Sequence, residues 1–181
     1  MLKTEIYNTC KIVAPKYKFE PQLILAICAQ ESQDQKVKDA CDEYATRMEN
    51  GFLNKYTRKF ELATTTECSL AISYGLMQLM GQSLNEMHYF EWFRKWYNSQ
   101  HPTGTLLLEE LSEITVCKGI NHFMMNPQWH VEWGVKWLDR KRSQTKDGST
   151  EEMLLRWNGG GNEDYADEVL KHYKEIKKVF T

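Results

Sequence analysis

No run of apolar residues in this chain is long enough to cross a bilayer; the densest, Leu23 to Ala29, falls far short of a span. An excess of one charge is missing too. The chain has 23 Lys and Arg against 25 Asp and Glu, a formal net charge of -2, so neither nucleic acid nor stable membrane insertion is expected. The cysteines Cys10, Cys28, Cys41, Cys68 and Cys117 are odd in number and contain no C-x-x-C pair, which argues against a disulfide framework and for reduced thiols in a cytoplasm. Cys117 and His122 have a loosely metal-like spacing, but no second pair completes a ligand set, so no metal and no cofactor is expected. The start, Met1 to Ile6, lacks a basic stretch followed by an apolar core, so no secretory signal is expected. Repeats, linkers and low-complexity blocks are absent as well.

What is present suits one soluble domain over 1–181, with 41% hydrophobic and 27% charged residues. Helical signals dominate, and strand signals are weak. A first helix is expected from about Thr4 to Ala14, stopped by Pro15. Pro21 suits the first turn of a second, running to about Gln33. Asp34 to Lys59 reads as a loop-rich insertion with short helices. Thr64-x-x-Glu67 and Ser149-x-x-Glu152 read as capping boxes, the first opening a helix that breaks near Ser73-Tyr74-Gly75. Trp92 to Pro102 is aromatic and turn-bounded, and Leu106 to Glu113 is a short helix candidate. Val131, Val135 and Leu138 recur at helical spacing between Gln128 and Arg142. Gly159 to Gly161 ends the helix begun at Ser149, and a last helix is expected from Asp164 to Phe180. The fold class is therefore mainly α.

One residue breaks its own pattern. Ile24, Ile27, Cys28 and Glu31 share a helical stripe, so an acid occupies a position where another apolar residue is called for. A carboxyl half-sunk among apolar groups tends to keep its proton near neutral pH, the state a general acid needs. The bland reading is an acid at a helix end, solvated or paired with a Lys.

Three segments fit together with this acid: Gln30-Glu31-Ser32; Ser73-Tyr74-Gly75-Leu76-Met77-Gln78-Leu79-Met80; and Arg156-Trp157-Asn158-Gly159-Gly160, followed by Tyr165-x-x-x-Val169-Leu170. In this order they resemble the soluble-lytic-transglycosylase domain, which is related to goose-type lysozymes. The resemblance covers about 21–173. Residues 34–72 form an insertion, in which Arg47 to Tyr56 is similar to an insertion in a phage and bacterial branch of that family. The resemblance implies a lysozyme-like fold with a substrate cleft. It also implies cleavage of the β-1,4 bond between N-acetylmuramic acid and N-acetylglucosamine in peptidoglycan, with a 1,6-anhydro product. It makes Glu31 the catalytic acid and then the base, and puts the Tyr165 hydroxyl in the cleft beside it. Ser32, Ser73, Tyr74, Gly75, Met77, Gln78, Trp157 and Asn158 become substrate-binding candidates. For Leu76, Met77 and Met80, core packing is the competing reading, and for Tyr165 it is a half-buried anchor.

Two departures bear on chemistry. The family's usual Tyr before Asn-Gly is Trp157 here; an indole donates one hydrogen bond and accepts none. Goose-type hydrolases tend to have an Asp soon after G-L-M-Q, whereas the first acid after Gln78 is Glu86. An inverting hydrolase needs a second carboxylate to activate water, so this spacing favours transglycosylation. Asp34, Asp39, Asp42, Glu43, Glu49, Glu61 and Glu67 stay open as second acids, since the insertion could fold over the cleft. Tyr44, Tyr56, Trp92 and Trp96 are candidate sugar-stacking residues. The alternatives are a hydrolytic muramidase of the same fold and, in another class, a non-catalytic wall-binding or virion structural protein. The expected partner is the peptidoglycan glycan strand, met by a monomer. Without a visible signal, the route to the wall would be that of a phage lysis or virion-associated enzyme.

Overall fold

The computed structural model describes residues 1–33, 39–48, 65–102, 107–159 and 161–180. Most of the 34–72 insertion, with Tyr56 and the Thr64 cap, lies outside them. The described residues are mainly helical. The order is α1 (Lys3–Val13), a 3-10 turn (Ala14–Tyr17), α2 (Pro21–Ser32), β1 (Thr46–Met48), α3 (Thr65–Leu70), β2 (Ile72–Tyr74), β3 (Leu79–Met80), α4 (Gly81–Glu86), α5 (Tyr89–Gln100), α6 (Glu113–Met124), α7 (Pro127–Arg142), α8 (Thr150–Asn158) and α9 (Tyr165–Val179).

Helix α2 is apolar nearly all round and is accordingly central. Leu23 to Ala29 are all buried, with α1 and α9 packed along it. Proline at its first turn supplies a preset φ where no N–H partner is needed. Helix α7 is buried on two faces. Val131, Val135 and Leu138 join α1, α2 and α9 in one core, whereas Trp133 and Trp137 join Phe90, Phe93, Val116 and Phe123 in a second. The 75–79 turn divides the same way, Leu76 and Met77 into the first core and Leu79 into the second. Trp157 packs against both.

Between the cores lies a small antiparallel sheet in the order β1-β2-β3, with Arg47 opposite Ser73 and Ser73 opposite Met80. Its first strand reaches that position through segment 39–45, which is fastened at both ends. Lys3 N–H donates to Asp39 O, Cys41 N–H to Met1 O and Asp42 N–H to Ser32 O. The N-terminal ammonium meets Glu43 at 2.5 Å.

Several sequence expectations are corrected. The aromatic segment from Trp92 belongs to a full helix, α5. Residues 107–112 are not helical; a helix starts only after Ser112, whose side chain accepts from Thr115 N. The break before Gly75 is a strand, not the end of a helix, since α3 stops at Leu70. Helix α8 begins at Ser149 as expected, but Glu152 reaches back to Lys146 N rather than to Ser149 N.

Candidate active site

Glu31 is in the last turn of α2. The stripe that buries Ile24, Ile27 and Cys28 carries it to the edge of the core, where it is half-buried. Two side chains from other elements converge on Oε1. The Tyr165 hydroxyl, at the first residue of α9, donates at 2.6 Å. The Trp157 Nε1–H, near the end of α8, donates at 3.1 Å. Tyr165 is buried, and burial together with the neighbouring Glu31 charge pushes its hydroxyl far above the ordinary phenol value. It is thus fixed as a donor. Hydrogen bonds of this kind stabilise a carboxylate.

The relative position of α2, α8 and α9 is held by polar ties around this point. Glu168 of α9 accepts from Gln30 Nε2 at 2.7 Å and from Asn162 Nδ2 at 3.1 Å. Asn158 Nδ2 donates to Asn162 O at 3.1 Å, closing the glycine-rich loop. Gly159 has φ of +72°, a left-handed helix end that glycine adopts without steric cost.

Glu31 opens onto a groove of about 270 Å³, which Arg47, Ser73, Gln78, Trp157 and Asn158 also line. The turn bearing Gln78 has a rigid support. His130 of α7 is fully buried; its Nε2–H donates to Phe123 O at 3.0 Å and its Nδ1 accepts from Leu76 N at 3.3 Å. Burial pushes this imidazole down to about 4, so it is neutral. Gly75 lies on the ring, with φ of +71°, and an added Cβ would be 2.5 Å from Nδ1. Gln78 itself has φ of +45°. Its Nε2 donates to Ala45 O and Gly75 O, both at 3.0 Å, which holds this strained backbone and ties β1 to the turn. The amide oxygen is what Gln78 can offer a ligand N–H.

Of the candidates named from sequence, the structure brings together Glu31, Tyr165, Trp157, Asn158, Ser73 and Gln78. The other four are elsewhere. Ser32 is buried, its Oγ within hydrogen-bond distance of Cys28 O and Leu76 O, so it ties α2 to the turn. Tyr74 points into the second core and donates to Ser69 O. Gly75 backs onto His130. Met77 has no exposed surface and fits against Gly134, where a Cβ would be 2.3 Å from its sulfur.

Of the open second acids, Asp39, Asp42, Glu43 and Glu67 do not line the groove, and Asp34, Glu49 and Glu61 lie outside the described residues. Glu86 does line it, in an ion pair with Arg140 at 3.6 Å. Trp92 and Trp96 stack on one another at 6.3 Å and gather with Trp129 around His122, outside the groove lining. Tyr44 is exposed and also lies outside it.

Sequence reasoning missed Trp137 and Lys141 of α7, which line the groove. The signal was an aromatic and a cation four residues apart on one helix face. Among the described residues no cluster of His, Cys, Asp or Glu could hold a metal ion, and no helix is long and apolar enough to cross a membrane. No protein-family model matches the chain, and neither does any curated protein or solved structure.

Proposed function

We propose that this chain is a peptidoglycan lytic transglycosylase with a lysozyme-like fold. The observation that carries the reading is the carboxylate of Glu31, held by Tyr165 and Trp157 at the floor of a groove that Gln78 and Asn158 also line. Its sequence support is the ordered set of motifs to which those five residues belong.

The proposed chemistry uses this geometry. Glu31 delivers its proton to the bridging oxygen of the β-1,4 bond as the bond from C1 to that oxygen breaks. Tyr165 and Trp157 stabilise the carboxylate so formed. The substrate's own N-acetyl group can assist at the anomeric carbon, so the protein need not supply a second carboxylate. Glu31 then takes the proton of the O6 hydroxyl on the muramic ring, and O6 bonds to C1. The acid is restored, no water is consumed, and the product is a 1,6-anhydro sugar. The Gln78 oxygen suits an N-acetyl N–H.

One observation favours a second reading, hydrolysis by a muramidase of the same fold: Glu86 lines the same groove and could serve as the base for water. Arg140 stands against that role by tethering Glu86 to the neighbouring helix, through the carboxylate at 3.6 Å and the backbone carbonyl at 3.2 Å.

Replacing Glu31→Gln tests the catalytic reading. The amide keeps an acceptor for both donors, so the circular dichroism spectrum should match the wild type. Turnover of purified cell walls should fall by roughly 10³-fold or more, the scale of a lost general acid. A variant that clears walls at the wild-type rate would instead favour a wall-binding or structural protein.

A further inference from the structure

The groove has a branch. Lys141, Arg156 and Gly159 line it, and the same three line a shallow neighbouring depression of about 400 Å³, with Gln144, Glu152 and Leu155. The two depressions thus adjoin at Lys141, Arg156 and Gly159.

The two cations at the junction differ. Arg156 is already matched, its Nε and Nη2 donating to Glu152 Oε1 at 3.0 and 2.7 Å. Lys141 forms no ion pair among the described residues. Its Nζ stands 4.5 Å from the centre of the Trp137 ring, and the same ring carries Arg140 Cζ at 5.0 Å. The ammonium is half-buried, and burial lowers its pKa even with Glu86 nearby to oppose this. A partly desolvated cation on an aromatic face, with Arg140 and Arg156 adding like charge that Glu86 opposes only in part, favours a further anion. Leu155, 37% exposed, adds an apolar wall to the same depression.

We infer that this branch takes the peptide stem of the substrate, with Lys141 pairing a stem carboxylate and Leu155 meeting a stem methyl. The inference rests on the proposed function. A plain neutral glycan has nothing to put in a cationic branch beside its cleavage site. A muramyl ring does: its lactyl ether carries a short peptide with free carboxylates, leaving the sugar chain sideways. Lys141 is then a specificity residue, reading the stem rather than the bond to be cut.

The test compares two substrates with the full chain: purified glycan strands bearing stems, and the same strands after an amidase has removed the stems and the lactyl carboxylates so exposed have been capped as methylamides. Lys141→Gln should lower kcat/KM on stem-bearing strands by about tenfold, one ion pair's worth. The loss should be at least fivefold greater than on stem-free strands. Lys141→Arg should restore most of the preference. Equal losses on both substrates, or no loss on stem-bearing strands, would overturn the inference.

Should the wild type cleave neither substrate, the enzymatic reading fails separately. Calorimetric binding of the two kinds of fragment to the uncleaving Glu31→Gln protein then decides. Tighter binding of stem-bearing fragments, weakened by Lys141→Gln, supports the branch; equal affinity, or no binding of either, overturns it.

Discussion

At the scale of single residues, the site turns on one oxygen. Glu31 Oε1 receives a phenol and an indole donor, from helices that begin and end far from α2 in sequence. An indole can make only the donating contact seen here, Trp157 Nε1–H to Glu31. Tyr165 is the stronger partner, shorter by half an ångström and buried, so its removal should matter more. Tyr165→Phe keeps the ring's packing and deletes the hydroxyl. A hydrogen bond to a charged group contributes about 1.5–3 kcal/mol, so kcat on purified walls should fall roughly ten- to hundredfold. Trp157→Phe should cost less in kcat. Steady-state kinetics on the two variants measures this, and a Tyr165→Phe enzyme with wild-type kcat would remove the hydroxyl from the mechanism.

At the scale of elements, the turn between β2 and β3 depends on α7. His130 under Gly75 fixes where Gln78 goes, and it does so as a neutral ring. Above its ordinary value of 6.5 the imidazole is neutral whether the chain is folded or not. Between 6.5 and about 4 the unfolded chain takes up a proton that the folded one refuses, so stability falls as pH falls. The full loss, complete near pH 4, is on the order of 3 kcal/mol. Urea unfolding across this range should show it, with a shallower decline in His130→Gln; identical slopes would contradict it.

Much at this scale was legible in the sequence. Helices α2, α7, α8 and α9 follow from periodic apolar residues with Pro21, Ser149 and Gly159 at their ends. Helix α5 was harder to read, because Tyr, Phe and Trp are middling helix formers and only packing around Tyr89 and Phe93 makes their segment helical. The strands are two or three residues long and exist because segment 39–45 is fastened to α1 and α2, a tertiary cause with no local trace. In the site, the motif residues were legible, but their division into groove and core was not. Spacing could not say that Met77 fills against Gly134 while Gln78, one residue on, turns outward.

At the scale of the whole molecule, the two cores among the described residues share helix α7, and the groove runs along their seam. The first core brings α2 and Glu31; the second brings the wall with Trp137 and α4. Trp157 belongs to both and touches the acid, so the seam and the chemistry coincide. Among the described residues Glu86 on α4 is the groove's other carboxylate, and its tether to Arg140 on the neighbouring helix favours an internal nucleophile over an activated water. Mass spectrometry of peptidoglycan digested by the purified protein tests this most directly. Lytic transglycosylation should give muropeptides ending in 1,6-anhydro sugars, lighter by one water than the products of hydrolysis; reducing ends in their place would contradict it.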